Sequence, residues 1–244
     1  MGIKYLGDVD LQFLAYAKND DLAILVGYLS RDKDGETRWA QELLKEPRFQ
    51  SAGGNLTQVW DLIAGELQLF GGDSLVNFFR GHGVPYKEIL CDVCDFLGVK
   101  VNKNNSAYDI ENAALSKIFA KSWEYLTPEH RSEMADALGT SAFTGGKVVL
   151  DEIFEALKRS PVVSYQISML LADGLALSLL GRGIPVVANL GLGRMLGIFA
   201  GPIGWLISLL FSVPLLTGTA YRVTVPCVIQ VAYMRRALAQ ADRY

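Results

Sequence analysis

Apolar residues recur at intervals of three and four along most of the chain, the spacing of one face of an α-helix. The clearest stripe is Leu56, Val59, Trp60, Ile63, Leu67 and Phe70, which Gly71 and Gly72 bring to an end. The same spacing predicts short helices over residues 9–17, capped by Asp8, and 19–28, capped by Asn19 or Asp20. A polar turn at residues 31–36 precedes a further segment around Trp39, Leu43 and Leu44 that Pro47 closes. Helices follow over 74–80 with Asp73 as cap, over 86–97 with Pro85 in the first turn, and over 107–126. Thr127-Pro128 opens another that ends near Gly139; 147–159 looks helical, and Ser160-Pro161 opens a helix through Leu180. Residues 221–239 read as a helix kinked near Pro226. Period-two alternation persists nowhere, and Val223-Thr224-Val225 is the one candidate strand. The expected fold class is all-α, a multi-helix bundle.

Residues 195–221, MLGIFAGPIGWLISLLFSVPLLTGTAY, break this pattern because they contain no Asp, Glu, Lys, Arg or His. An uncharged stretch of that length is a candidate membrane span. Gly201-Pro202 divides it, since glycine permits a turn and proline suits the first position of a new helix. The limbs 185–200 and 202–213 would be about 24 Å and about 18 Å long at 1.5 Å per residue. Neither crosses a hydrocarbon core of about 30 Å alone. Arg182 and Arg194 on one side and Arg222, Arg235 and Arg236 on the other frustrate the orientation of a single span. The expectation is a Gly-rich hydrophobic C-terminal helical hairpin, buried between other helices of a soluble bundle or entering a membrane, with a stable single span as the remaining alternative. Gly193, Gly197 and Gly201 line one helical face and permit close helix packing. With Pro202 and Trp205 they are the helix-packing or membrane candidates.

Charge sharpens the division. The net charge is −3, yet residues 156–244 carry eight Lys and Arg against Asp173 and Asp242. Two regions follow: an acidic helical domain over 1–155 and a hydrophobic, basic C-terminal helical region over 156–244 packed on it. The basic part could equally be drawn to anionic lipid headgroups. No basic stripe with interleaved aromatics is present, so nucleic acid is not an expected partner. Three cysteines do not make a disulfide framework and suit a reducing, cytoplasmic compartment. The N-terminal residues run into Asp8 and Asp10 without an apolar core, unlike a secretory signal.

Candidate chemistry is sparse. Cys91 and Cys94 have half the spacing of a zinc site and read as buried apolar cysteines; Cys227 and His82 are distant. Thr144-Gly-Gly-Lys147 lacks the first glycine and the final Ser or Thr of a phosphate loop and reads as a flexible loop. Asp61, Glu66, Asp73, Arg80 and His82 cluster in sequence but are accounted for by capping, ion pairing and turns. No catalytic residue, metal or cofactor is expected.

The segments DLIAGELQLFGGDSLVNFFRGHGVPYKEIL, residues 61–90, and GTAYRVTVPCVIQVAYMRR, residues 218–236, resemble the YaaW family of bacterial proteins, nearly end to end. The resemblance marks Gly65, Glu66, Gly71, Gly72, Asp73, Arg80, Gly81, Tyr221 and Arg222 as family-motif positions without an assigned role. It is similar, more distantly, to the ubiquinol–cytochrome c chaperone family, which implies an all-helical fold that assists assembly of a membrane complex. The function expected is non-enzymatic: a chaperone-like helical protein that binds a membrane surface or a membrane-protein client, cytoplasmic or peripheral to, or hairpin-inserted in, the inner membrane. The alternatives are a membrane-permeabilising effector with a releasable hairpin and a soluble hydrolase centred on Glu66, Asp73 and His82.

Overall fold

The computed structural model describes residues 3–30, 43–71, 83–139, 143–144, 147–148, 150–185, 203–209 and 215–241. The α-helices with both ends among them are α1 Asn19–Ser30, α2 Pro47–Ser51, α3 Trp60–Gly71, α4 Tyr86–Phe96, α5 Ala107–Glu124, α6 Pro128–Ala137, α7 Leu150–Arg159, α8 Pro161–Leu180 and α9 Leu215–Ala241. Residues 203–209 are also helical. Short 3-10 turns cover Gln12–Tyr16, Leu43–Lys45 and Leu56–Val59. The fold is all-α apart from one two-residue ladder that pairs β1 Phe143–Thr144 with β2 Lys147–Val148, Phe143 opposite Val148.

Local signals set many helix starts. The Ser106, Thr127 and Ser160 hydroxyls accept from the N–H groups of Asp109, His130 and Val163 at the starts of α5, α6 and α8. Pro128 and Pro161 occupy first-turn positions, where the missing N–H costs nothing. Gly181 ends α8 with φ 68, a left-handed conformation that side chains resist.

Other starts are capped from afar. The Asp8 carboxylate accepts from Tyr86 N–H at 2.6 Å, so it serves α4 across the fold, and the residue before α4 is Pro85. The Asn19 side chain accepts from Leu56 N–H at 2.7 Å and serves the turn before α3. Residues 9–17, expected as an α-helix, contain the tighter turn Gln12–Tyr16. Helix α7 starts at Leu150, because 147–148 pair as a strand, and Val223-Thr224-Val225 lie inside α9. Burial explains the last: all three are buried just before Pro226, where packing outweighs β propensity.

Helices α8 and α9 form the central pair and run antiparallel, with Tyr165 early in α8 stacked on Tyr233 late in α9. Around them α1, α3, α4 and α5 contact α9, and α1, α5 and α7 contact α8. Every residue from Ile167 to Ala176 of α8 is buried. One continuous apolar core joins Leu11 to Met234 and draws on both the acidic and the basic parts of the chain.

Among the described residues α8 alone has the length and composition to cross a membrane, with mean hydropathy 1.5, and 67% of that window is buried in the bundle. The expected limb 185–200, and with it Gly193, Gly197, Gly201 and Pro202, lies outside the described residues, apart from Pro185. Of the second limb, residues 203–209 are helical, and Ile203 and Leu206 are fully buried.

Candidate functional site

Two polar loci sit inside the helical core. The first closes around Arg236, which is 3% exposed. Its Nη1 donates to Glu111 Oε2 at 2.7 Å and to the Ala232 carbonyl at 2.8 Å. Its Nη2 donates to Asn112 Oδ1 and its Nε to Ser164 Oγ, both at 2.7 Å. Its guanidinium also lies 4.3 Å from the Tyr108 ring centroid, a cation–π distance.

The neighbouring Arg235 donates to Glu111 Oε1 at 3.0 Å and to the Asp10 carbonyl at 2.7 Å, over the Phe13 ring. Tyr86 completes the shell of Glu111 with a 3.1 Å hydrogen bond. Burial, and then the Glu111 carboxylate beside it, hold the Tyr86 hydroxyl well above its ordinary pKa, so it acts as a donor. One carboxylate on α5 thus ties α9 to α4, and the two arginines extend the tie to α8 and to the N-terminal segment. Each Glu111 oxygen is engaged by protein donors, which suits it to fastening helices rather than to accepting a substrate proton.

The second locus runs between α1, α8 and α9, and its polar groups are only partly answered. Asp173, 1% exposed, accepts from Ile184 N–H at 2.5 Å through Oδ1, while Oδ2 has no partner among the described residues. The Tyr28 hydroxyl and Gln230 Oε1 likewise have none there. Gln230 spends its amide on the Asp21 carbonyl at 3.1 Å. Burial raises the Asp173 pKa against the opposing Ile184 hydrogen bond and pushes Asp21 up to about 6.

Both loci escaped sequence reading, although each left a trace. Glu111 shares a helical stripe with Leu115, Ile118 and Ser122, all buried. Asp173 is the single charged residue of α8. Arg235 and Arg236, read in the sequence as charges flanking the uncharged run, face inward to Glu111.

The family-motif positions that are described act through packing. A Cβ at Gly65 would lie 2.7 Å from Ile3 Cγ2, and one at Gly71 only 2.3 Å from Ile89 Cγ1. Between them Gln68 accepts from Leu6 N–H at 3.0 Å through Oε1 and from Val84 N–H at 3.1 Å through its carbonyl. This face of α3 is where two separate segments are laid down, and the glycines let them approach. Glu66 is buried on the same helix, and Asp61 forms a two-point ion pair with Arg48. Tyr221 stacks on Phe96 with centroids 4.4 Å apart, and Arg222 follows it, partly buried, on α9. Trp205 Nε1 is buried without a partner among the described residues. Gly72, Asp73, Arg80, Gly81 and His82 lie outside the described residues.

Cys91, Cys94 and Cys227 are buried, and none of them is in a disulfide. Burial, then Cys91 and Asp95, push the Cys94 thiol up to about 12, and burial raises Cys91 as well. Without a metal both are therefore protonated thiols at neutral pH. No grouping of His, Cys, Asp and Glu suited to a metal occurs among the described residues.

Comparison with known proteins agrees with a family assignment rather than an activity. A family described as a domain of unknown function, DUF3944, matches residues 5–39. A Helicobacter pylori protein named "UPF0174 protein" is 36% identical over 244 residues, covering 99% of this chain and 96% of its own. An Escherichia coli K12 protein named "UPF0174 protein YaaW" is 34% identical over 250 residues, covering 98% of each. A second Helicobacter pylori relative is 36% identical over 204 residues and covers 81% of this chain. No solved structure matches.

Proposed function

The chain belongs to the YaaW-like UPF0174 family, and from that premise we propose that it is a non-enzymatic helical protein that engages a membrane, or a client within one, through its uncharged C-terminal run. One observation carries the reading. Ile184, four residues past the end of α8, rests its N–H on Asp173, and the side chain of Ile203 packs at Gly174. The two ends of the intervening stretch therefore meet on consecutive residues. A straight helix over the same residues would separate them by roughly 27 Å at 1.5 Å per residue. An uncharged run whose flanks are held together on one turn of α8 is suited to contact with lipid or with an apolar client.

The basic charge of the C-terminal region is a weaker candidate for the driving force. Arg235 and Arg236 are committed to Glu111, Lys158 and Arg159 to Glu155, and Arg182 donates to the Ala23 carbonyl. Association should accordingly rest on apolar burial and resist salt. The more distant chaperone resemblance is the client-binding form of the same reading, with the cytoplasmic face of the inner membrane as its place of action.

Fractionation tests this directly. The full chain should sediment with membranes after high-salt and alkaline washing, and Phe199→Glu or Phe211→Glu, placed in the uncharged run, should move it to the soluble fraction with unchanged helicity. A wild-type chain that is soluble in both washes would sink the reading. Dye release from anionic vesicles would redirect it to membrane permeabilisation.

A further inference from the structure

Helix α1 turns one stripe, Ala23, Val26, Gly27 and Ser30, toward the end of α8, at the i, i+3, i+4 and i+7 spacing of a single helical face. The two helices approach closely at Gly27, where an added Cβ would lie 2.8 Å from Leu180 Cδ1. Beside that contact the stripe, Leu44 and the residues that end α8 line a cleft of about 260 Å³ that is open to solvent on one side. Its aliphatic walls are the half-buried side chains of Ala23, Val26, Leu44 and Leu180.

Arg182 brings the charge to this lining. It is exposed, and its Nη2 donates to the Ala23 carbonyl at 2.6 Å. That bond lays the guanidinium from the end of α8 across to α1 and fixes where the charge sits. A guanidinium carries five N–H donors in a planar fork, which matches the oxygens of a carboxylate or a phosphate. Among the described residues no Asp or Glu lines the cleft, so its charge favours an anion. The volume is that of about nine waters at about 30 Å³ each, which suits a small head with a short alkyl chain.

We propose that this cleft binds an oxyanion carrying a short aliphatic chain: the Arg182 fork takes the carboxylate or phosphate head, and Ala23, Val26, Leu44 and Leu180 cover the chain. Each half of the ligand answers one feature of the site. A bare anion would leave the aliphatic walls in water, and a neutral chain would leave the guanidinium without its counter-charge. The cleft is also separate from the Glu111 network. Ser164 and Leu180 are sixteen residues apart on α8, about 24 Å at 1.5 Å per residue. The site stands whether or not the uncharged run meets a membrane.

Titration of the full chain with hexanoate, followed by two-dimensional amide NMR spectra, is the test. The signals of Ala23, Val26, Gly27 and Ser30 should shift together and saturate. Arg182→Gln removes the charge and the fork and should raise the hexanoate Kd about tenfold or more. Ala23→Leu fills the cleft from its wall, leaves the charge in place and should abolish the shifts. A titration that does not saturate overturns the proposal, and so does wild-type affinity in Arg182→Gln. Acetate binding as tightly as hexanoate would mean an adventitious ion only, and 1-hexanol doing so would mean apolar partition; either result overturns it. If Ala23→Leu fails to fold, Arg182→Glu at its exposed position decides: it should abolish the shifts, and retained binding overturns the proposal. Dihexanoyl phosphatidylglycerol, kept monomeric, tells the source of the anion. Displacement of hexanoate by it assigns the head to a phospholipid, and hexanoate binding without displacement assigns it to a free acid.

Discussion

The Glu111 locus and the Asp173 locus are built on the same pair of helices and are equally buried, yet they answer their charges differently. Around Glu111 both carboxylate oxygens accept from donors of α4 and α9, and the Arg236 nitrogens find acceptors on α5, α8 and α9. Around Asp173 and Tyr28, single oxygens lack partners among the described residues. Burial by itself therefore does not decide whether a polar group stabilises. A satisfied network gains from the low dielectric, and a half-satisfied one is penalised by it. The bundle is fastened near the start of α8, and the polar atoms without described partners lie beside its middle.

The largest test of that contrast is Glu111→Ala. It leaves two guanidinium groups without their carboxylate, one of them fully buried, and should cost about 3–5 kcal/mol of stability in urea denaturation. A loss below about 1 kcal/mol would mean that the network is not a fastening. Ser164→Ala removes the acceptor for Arg236 Nε and should cost about 1.5–3 kcal/mol, the range for a hydrogen bond to a charged group. A neutral result would place the binding energy of Arg236 elsewhere.

The smallest effect has the opposite sign and sharpens the comparison. Asp21, buried between α1 and the Tyr165–Tyr233 pair, has its pKa raised to about 6, first by burial. Its folded pKa exceeds its unfolded one, so its contribution to stability is fully present below about pH 3.8 and is lost as the pH rises through about 6. Asp21→Asn should therefore stabilise the protein by up to about 2 kcal/mol at pH 7, with the gain vanishing near pH 4. Thermal melts at the two pH values measure it, and a destabilised variant at pH 7 would show that the charge is answered after all.

Legibility in the sequence followed the range of the interaction. Ser106, Thr127-Pro128, Ser160-Pro161 and Gly181 act within one turn of their own helices, and their roles can be read from neighbours in the chain. Asp8 uses one oxygen locally, on Asp10 N–H, but gives the other to Tyr86, and Asn19 gives its side chain to Leu56, contacts that no local pattern reveals. The GELQ motif was legible as a family mark and not as a mechanism. Its meaning lies in Ile3 and Ile89 pressing on Gly65 and Gly71 from both sides.

By itself the sequence determined the all-helical class, most helix boundaries, the family and the uncharged run, because each depends on composition or on contacts a few residues apart. Only the tertiary structure decided which charges are answered. Glu111 meets Arg236 across 125 positions, and Asp173 is left with a single described donor because the chain turns back at Gly183. The energy of a buried charge depends on what surrounds it in space, and that arrangement exists only once the helices have packed.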